Sequence, residues 1–388
     1  MKKILSAVLL FSLLLGLGIG APRSSAAAET AESSFSQNAK SCVLMDATTG
    51  EILFAKNEDL ALPPASVTKI MTLLLVMEAW DSGKVSGSDP VTVSREAASM
   101  GGSQVFLEEG ECLTLEELLK CVVIASANDA AYALAEYIAG SEEAFVARMN
   151  ERAAELGMKN TFFETCTGLD DTAEKHLISA KDIAIMSREL IGHEKILSYT
   201  TIWQDTIRDG AFTLTNTNRL VRFYPGATGL KTGSTSKALF CISATAKRNG
   251  MHLIAVVMGA PTRDIRNAEA KKLLDYGFAE YALCQREGEE LSPLTVTGGS
   301  SESVAVRLND FSALLKKGQE KNVEVRLVLP RSVSAPIAVG DCVGYAEYSV
   351  GGTVIGKADV LATEEVASIS FLDILLRLLC GMIGAFER

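Results

Sequence analysis

An apolar segment that contains a lysine constrains the fold most strongly. Residues 66–80 read SVTKIMTLLLVMEAW and directly follow two prolines and an alanine. Drawn as a helix, the segment has apolar side chains almost all round, which predicts a helix buried in the core. Lys69 lies inside it. Either this side chain reaches out to solvent along the helix, or its buried amine has a chemical task.

Length and charge limit the class of protein. The chain has 388 residues, which suggests two or three domains at about 150 residues each, and a net charge of −11. An acidic surface argues against nucleic acid as a partner, because phosphate backbones are bound by basic patches. His176, His193 and His252 lie far apart and form no HExxH pattern. Zinc catalysis and a serine–histidine–aspartate triad are therefore disfavoured.

Both ends of the chain carry targeting patterns. Residues 1–28 have two early lysines, an apolar run and then small residues, the layout of a secretory signal peptide cleaved after Ala28. An uncleaved membrane anchor is the alternative. Residues 366–388 show one narrow polar stripe on an otherwise apolar helix, typical of a helix that lies in a membrane interface. Packing against the protein or a partner is the alternative. We expect an exported protein, peripherally anchored at the extracytoplasmic face of the membrane.

The cysteines show no metal or redox spacing. No pair forms CxxC, and a chain of this size folds without covalent staples, so most are expected to be small buried apolar side chains. One or two disulfides remain open. The eight are Cys42, Cys112, Cys121, Cys166, Cys241, Cys284, Cys342 and Cys380.

Turn and cap signals outline the secondary structure. Asn249-Gly250 between two apolar runs predicts a hairpin, since both turn positions need positive φ. Thr114 and Glu117 have capping-box spacing at the start of a region that predicts two helices. After about Arg286 the sequence predicts short strands with Gly, Pro and Asp turns, a separate small β domain over residues 287–365. Further elements are predicted at 41–57 (strand, turn, strand) and at 142–157, 179–192 and 264–281 (helices).

Ser66 and Lys69 form an SxxK pair at the start of the buried helix. Three residues make about one helical turn, so the two side chains share a face. A buried amine loses affinity for its proton and can take the proton of a neighbouring hydroxyl, which makes serine a nucleophile. The helix N-terminus adds N–H groups that stabilise an oxyanion. The same spacing at Ser234 and Lys237 falls in a predicted turn into a strand, where the two positions face opposite ways.

Two further motifs follow along the chain. Ser126-Ala127-Asn128 joins two predicted helices among small residues, where a backbone can approach a ligand closely. Lys231-Thr232-Gly233 leads into an apolar predicted strand, and Lys231 offers positive charge. Gly233 has no side chain, so a substrate backbone could lie along the strand as an added one. A second S-x-N, at residues 36–38, falls in the polar leader and is a chance match.

SxxK, SxN and KTG, in this order, are the motif set of penicillin-binding proteins and serine β-lactamases. The sequence resembles a low-molecular-weight penicillin-binding protein, a serine-type D-alanyl-D-alanine carboxypeptidase of the peptidase S11 type. Stretches such as PPASVTKIMT and TGLKTGSTSKALFCISATA also agree. The resemblance implies an α+β fold, with a catalytic domain (40–284) built from an antiparallel sheet plus a helical cluster. A small all-β domain and a C-terminal amphipathic helix would follow.

The resemblance also implies roles for the motif residues. Ser66 would be acylated by the penultimate D-alanine of a peptidoglycan stem peptide, with Lys69 as general base and no metal or cofactor. Ser126 would help to move a proton to the leaving D-alanine. Asn128 would hold the substrate amide, and Lys231 would support the electrostatics. β-Lactam antibiotics would be covalent inhibitors.

Recognition of the terminal carboxylate is assigned in the same way. Thr232 would touch this carboxylate, beside Gly233, and the backbone N–H groups of Ser66 and Ser234 would form the oxyanion hole. The family places an arginine after the hairpin to bind the carboxylate. Arg266 matches by position, Arg263 is a nearby competitor, and a plain surface charge is the alternative for Arg266.

The sequence departs from the family pattern in places, and rival functions share its motifs. Ala127 replaces a frequent glycine, residues 164–169 read ETCTGL where relatives often have Asn-Pro-His before Gly-Leu, and the STSK loop differs from some members. A serine β-lactamase is the closest rival, but no ExxLN motif lies between SxN and KTG. A D,D-endopeptidase on the same fold stays open, as does a role in growing or in spore wall. A non-catalytic wall-binding protein or a signal-peptidase-like enzyme would lack parts of the motif set.

Overall fold

The computed structural model describes residues 38–169, 174–371 and 374–375, so the predicted signal peptide lies outside the described residues. The strands are β1 (Ser41–Asp46), β2 (Ile52–Lys56), β3 (Pro90–Thr92), β4 (Cys112–Thr114), β5 (Gln204–Ile207), β6 (Phe212–Thr215), β7 (Ala227–Thr235), β8 (Leu239–Arg248), β9 (Met251–Ala260), β10 (Tyr281–Arg286), β11 (Glu290–Thr297), β12 (Ser303–Leu308), β13 (Phe311–Lys316), β14 (Val323–Val328), β15 (Ser332–Ser334), β16 (Cys342–Val350) and β17 (Thr353–Ala362). The helices are α1 (Lys69–Asp81), α2 (Arg95–Ala98), α3 (Leu115–Lys120), α4 (Asn128–Ala139), α5 (Glu142–Glu155), α6 (Ala180–Gly192), α7 (Glu194–Thr200), α8 (Leu220–Phe223) and α9 (Arg263–Glu280).

A five-stranded antiparallel sheet is the framework of the N-terminal domain. Its strand order is β2-β1-β9-β8-β7, which leaves β7 at one edge. β8 and β9 form the predicted hairpin, and both turn residues, Asn249 and Gly250, have positive φ, of 50° and 82°. The free edge of β7 can accept an added strand.

Alternating side chains give this sheet two buried faces. Leu44 and Leu253 point to α9, which comes so close that a Cβ on Gly277 would lie 2.5 Å from the Leu253 side chain. Val43 and Val256, on the opposite face, belong to the large apolar core formed with the helices. Because side chains alternate along a strand, adjacent residues such as Val43 and Leu44 pack against the helical core on one face of the sheet and against α9 on the other.

The predicted buried helix is confirmed as α1, the centre of the helical cluster. Ser66 lies just before it, in a 3₁₀ turn of residues 65–68, so the serine and Lys69 sit at a junction of two helix types. Lys69 has no exposed surface. The alternative in which its amine reaches solvent is therefore wrong.

The two helices predicted around the SxN motif are α3 and α4, joined by one π-helical turn. Both hydrogen bonds of the capping box between Thr114 and Glu117 are present. The π turn, residues 121–125, ends at Ser126, whose φ is 65°, and Asn128 opens α4. A left-handed residue between two helices turns the chain sharply, so Ser126 and Asn128 point into one cleft.

The C-terminal part is all-β. Its six-stranded sheet has the order β14-β16-β17-β12-β11-β15, with a separate β10–β13 pair. β10, which straddles the predicted boundary between residues 284 and 287, pairs with β13. The core is apolar, and Phe311 stacks on Tyr348 with ring centroids 3.7 Å apart.

The predicted C-terminal helix does not begin at residue 366. Val366 pairs with Ile337 and Ser368 with Gly299, so this stretch is extended and belongs to the β domain. Helical residues first occur at Phe371, and most of the predicted anchor lies outside the described residues. None of the helices that the described ranges contain has the length and apolar character needed to cross a membrane.

Seven of the cysteines lie within the described ranges. The expectation that most of them are buried is confirmed, and no two of these seven form a disulfide with each other. Cys380 lies outside the described residues. The buried ones are Cys42, Cys121, Cys166, Cys241 and Cys284, and the exposed ones are Cys112 and Cys342.

Candidate active site

The nucleophile candidate, Ser66, lies in a tight turn wedged against β7. Pro64 precedes the turn, and Ala65 has a positive φ of 50°. A Cβ on Gly233 would stand 2.9 Å from the backbone nitrogen of Ser66 and 2.7 Å from the carbonyl oxygen of Pro64. Glycine is therefore required at position 233 because the turn and the strand touch, a different reason from the space for substrate that the sequence suggested.

Lys69 is held by three acceptors. Its Nζ donates to Ser66 Oγ at 2.9 Å, to Asn128 Oδ1 at 2.5 Å and to the Thr167 carbonyl at 2.8 Å. Burial lowers the pKa of Lys69 to about 7, while Cys166 and Asp129 act in the opposite direction. An amine that is partly neutral near pH 7 and touches a serine hydroxyl is a competent general base.

The segment 164–169 forms one wall of the Lys69 site. Its Thr167 carbonyl accepts from Lys69, and Thr72 Oγ1 donates to the Cys166 carbonyl at 2.6 Å. His176 accepts at Nδ1 from the backbone N–H groups of Glu164 and Thr165, at 3.0 and 3.3 Å. The sequence marked this segment only as a departure from the family pattern, and it missed the contact with the base.

Ser126 and Lys231 form the second polar pair. Lys231 Nζ donates to Ser126 Oγ at 2.7 Å and to the Thr232 carbonyl at 3.1 Å, and both side chains are buried. Burial holds the pKa of Lys231 well below its usual range, and the charges of Lys69 and Arg266 add to this effect. The pair can relay a proton beside the nucleophile.

Asn128 connects the two polar pairs to a neighbouring loop. Its Oδ1 accepts from Lys69, its Nδ2 donates to the Gly101 carbonyl at 2.7 Å, and its backbone N–H donates to the Ser103 carbonyl at 2.7 Å. Both groups of its side-chain amide are thus used within the protein. Binding a substrate amide requires an exchange of one of these partners.

The KTG motif lies inside β7, whereas the sequence predicted only that it leads into an apolar strand. Lys231 pairs with Ser243 and Gly233 with Cys241, so the motif is part of the edge strand. The second SxxK pair starts at Ser234 near the end of this strand, and Lys237 lies in the following turn. It lacks the helix start that the Ser66 pair has.

A cavity of about 580 Å³ opens in front of these residues. Thr232, on β7, donates its hydroxyl to Thr217 Oγ1 at 2.8 Å. Farther from the motifs the wall is aromatic, with Trp203 and Phe223 packed edge to face at 6.1 Å. Neither Thr217 nor the aromatic pair was found in the sequence, because no motif marks them.

Arginines give the cavity a positive character. Arg219, Arg263 and Arg266 all line it. Arg266 is buried, donates to the Cys241 carbonyl at 3.4 Å and to Asn267 Oδ1 at 3.0 and 3.1 Å, and burial together with Arg263 lowers its pKa to about 10. In a chain of net charge −11, a cavity lined by three arginines is suited to an anionic ligand. In the part of the chain that the structure describes, no group of three or more potential metal ligands comes together.

Two family models match successive parts of the chain. Residues 27–262 match the family described as D-alanyl-D-alanine carboxypeptidase, and residues 280–368 match the penicillin-binding protein 5 C-terminal domain. The chain is 43% identical over 384 residues to the D-alanyl-D-alanine carboxypeptidase DacF of Bacillus subtilis, covering 97% of this chain and 98% of that protein. It is 34% identical over 378 residues to DacC of Escherichia coli, covering 93% of this chain and 94% of DacC.

Solved structures agree with the predicted fold. The crystal structure of penicillin-binding protein 5 from Haemophilus influenzae superposes with a TM-score of 0.75 at 34% identity, covering 85% of this chain and 98% of that one. The predicted catalytic domain of sheet plus helices, followed by a small all-β domain, is thereby confirmed. With the motif set, the site and both family models in agreement, the chain belongs to the D-alanyl-D-alanine carboxypeptidase family of penicillin-binding proteins.

Proposed function

We propose that this protein removes the terminal D-alanine from peptidoglycan stem peptides through an acyl-enzyme on Ser66. The observation that carries the proposal is the buried amine of Lys69, 2.9 Å from the Ser66 hydroxyl oxygen and with its pKa lowered to about 7. Family membership supports the reaction class.

In the first step, neutral Lys69 takes the proton of the Ser66 hydroxyl as Oγ attacks the carbonyl carbon of the penultimate D-alanine. Negative charge develops on the carbonyl oxygen. The backbone N–H groups of Ser66 and Ser234 are the proposed donors to it, since the Ser66 turn and β7 meet at Gly233.

The second step breaks the peptide bond. The leaving amine of the terminal D-alanine needs a proton, and Ser126 is the proposed donor because its Oγ is bonded to the Lys231 ammonium or amine at 2.7 Å. The proton that Lys69 took from Ser66 replaces the one that Ser126 gives up, so Lys69 is neutral again. Water then attacks the acyl-enzyme, and Lys69 takes a proton from this water and returns it to Ser66 Oγ as the ester bond breaks. This releases the shortened stem peptide and restores Ser66.

Substrate binding is proposed along the free edge of β7. Backbone pairing there holds the peptide, Asn128 takes its amide after exchanging a partner, and Thr232 and Arg266 bind the terminal carboxylate. Arg219 and Arg263 line the same cavity and strengthen its positive field. β-Lactams, which carry a carboxylate beside a strained amide, are proposed to acylate the same serine.

The cell surface is the proposed location. The pattern of residues 1–28 supports export, and the apolar pattern of the C-terminal segment supports peripheral attachment to the outer face of the membrane. Phe371, the first helical residue after the β domain, is 79% exposed, as an apolar side chain at the start of such a segment would be.

The test is the intact mass of the soluble mature protein over time after benzylpenicillin is added, with Ser66→Ala in parallel. We expect a long-lived adduct that is absent from the variant, and D-alanine release from a pentapeptide by the wild type only. Rapid drug hydrolysis without an adduct would identify a β-lactamase instead. If neither an adduct nor drug hydrolysis is observed, Ser66 is refuted as a nucleophile.

A further inference from the structure

His176 is a buried side chain that the reaction steps above leave unused. It is 4% exposed, and its ring meets Phe163 edge to face with centroids 5.7 Å apart. Nε2 lies 2.7 Å from Thr68 Oγ1, the residue directly before Lys69. The His176 ring therefore connects the start of α1, which carries Lys69, to the groups that are hydrogen-bonded to its other ring nitrogen, Nδ1.

The other nitrogen holds the 164–167 backbone. Nδ1 accepts from the N–H groups of Glu164 and Thr165, so it carries no proton, and Nε2–H is the donor to Thr68. Two residues farther on, the Thr167 carbonyl accepts from Lys69 Nζ at 2.8 Å. The histidine therefore fixes both sides of the contact between the base and this carbonyl.

We propose that His176 is a positioning residue of the catalytic base, which holds the Thr167 carbonyl on the Lys69 amine. The proposal rests on the proposed role of Lys69. It also explains how a chain with ETCTGL at residues 164–169 keeps this wall in register, because the side chain that fixes it comes from outside the segment.

A carbonyl acceptor favours the charged form of an amine, because the hydrogen bond from an ammonium is the stronger one. From this hydrogen bond we expect the Thr167 carbonyl to counteract burial and to keep the pKa of Lys69 from falling further. The other ionisable groups that act on Lys69 are Cys166 and Asp129, which raise its pKa, and it faces the buried Lys231. If the segment moves away, Lys69 becomes neutral at lower pH but is less well oriented.

Two substitutions test the hydrogen bonds of the two ring nitrogens of His176 separately. His176→Gln can still reach Thr68 but leaves the N–H groups of Glu164 and Thr165 without an acceptor. His176→Asn keeps an oxygen near the position of Nδ1 and loses the bond to Thr68. His252→Asn is the matched control, since His252 is a buried histidine bonded to Thr228 at 2.8 Å.

The experiment measures the rate constant for acylation by a fluorescent penicillin across pH, with thermal melting of each variant. Relative to wild type, His176→Gln should lose about 10- to 100-fold at neutral pH, the scale of a misplaced catalytic group, and the midpoint of its acid limb should move to lower pH. His176→Asn should keep a midpoint near that of the wild type, and His252→Asn should change neither value.

If the midpoint of the acid limb is unchanged in His176→Gln, whatever the melting temperature of the variant, the histidine has only a structural role and the proposal is refuted. Equal midpoint shifts in the Gln and Asn variants would equally refute the division of roles. If His176→Gln does not fold, Thr68→Val serves as the second variant. It removes the hydroxyl that receives Nε2–H, so it should behave like His176→Asn and keep a midpoint near that of the wild type, and a lowered midpoint would refute the division of roles. A wild type that is not acylated at all would refute the proposed function and not this inference.

Discussion

Gly233→Ala offers the most direct test of how the Ser66 turn is positioned. The new Cβ would meet three backbone atoms: the Pro64 oxygen at 2.7 Å and the nitrogens of Ser66 and Val67 at 2.9 Å. Ordinary contact begins at 3.4 Å, so the turn and β7 must separate by about 0.7 Å. None of the three atoms can rotate away, because all belong to the main chain.

This separation should affect catalysis more than stability. Overpacking typically costs about 1–3 kcal/mol. A shift of about 1 Å in a reacting group costs on the order of 100-fold in rate, so 0.7 Å should reduce acylation by about 10- to 100-fold. The shift also widens the proposed oxyanion hole, since the Ser66 and Ser234 N–H groups lie on the two sides of the contact.

The assay compares acylation by a fluorescent penicillin with thermal melting, in the variant and in Gly192→Ala. At Gly192, the last residue of α6, a Cβ would meet no atom within 4 Å and the backbone needs no positive φ, so alanine there should be neutral. Acylation of Gly233→Ala at the wild-type rate would refute the argument. It would mean that the serine turn is not fixed by its contact with β7.

Three further predictions concern the base, the proton relay and the chain end. Because Lys69 must be neutral to act and its pKa is about 7, acylation should rise with pH and reach half its plateau near pH 7, and a flat profile from about pH 5 to pH 9 would contradict this. Ser126→Ala should slow acylation by about 100-fold or more, because it removes the hydroxyl that Lys231 contacts. The melting temperature should change little, because the substitution opens no large cavity. Near-normal acylation rates would exclude the proton relay. A chain ending after Ser370 should leave the membrane fraction yet keep the melting temperature of the full-length protein. A chain ending before Val366 should have a lower melting temperature, because it loses two β-bridges of the β domain. Continued sedimentation of both truncated chains with membranes would argue against the anchor.

Local signals predicted much of the fold. The capping box at Thr114 and the Asn249-Gly250 turn both act over a few residues, and both form as expected. The burial of Lys69 was one of two alternatives that its apolar neighbours left open, and the packed structure decides between them. The domain boundaries and the roles of the site residues stay predictions, because they depend on how distant parts of the chain act together.

Contacts between distant segments were not predictable. Thr68 and His176 are 108 positions apart, and Lys69 and Thr167 are 98 apart, so no spacing rule relates them. The KTG motif was predicted to lead into a strand, and it lies within one, for a different reason. Residues 227–235 read ATGLKTGST, whose glycines and threonines resemble a turn, and the strand forms because β8 pairs with it along nearly its full length.

The junction of α9 and β10 has a mechanical consequence. α9 ends at Glu280 and β10 begins at Tyr281, with no intervening residue. The Glu280 carbonyl accepts from the Lys317 backbone N–H, and Tyr276 packs against Tyr281. A helix of 18 residues is about 27 Å long, and this one carries Arg266 near its other end. Because no flexible linker separates the two elements, a force that rotates the β domain is passed through α9 to the end of the cavity that Arg266 lines.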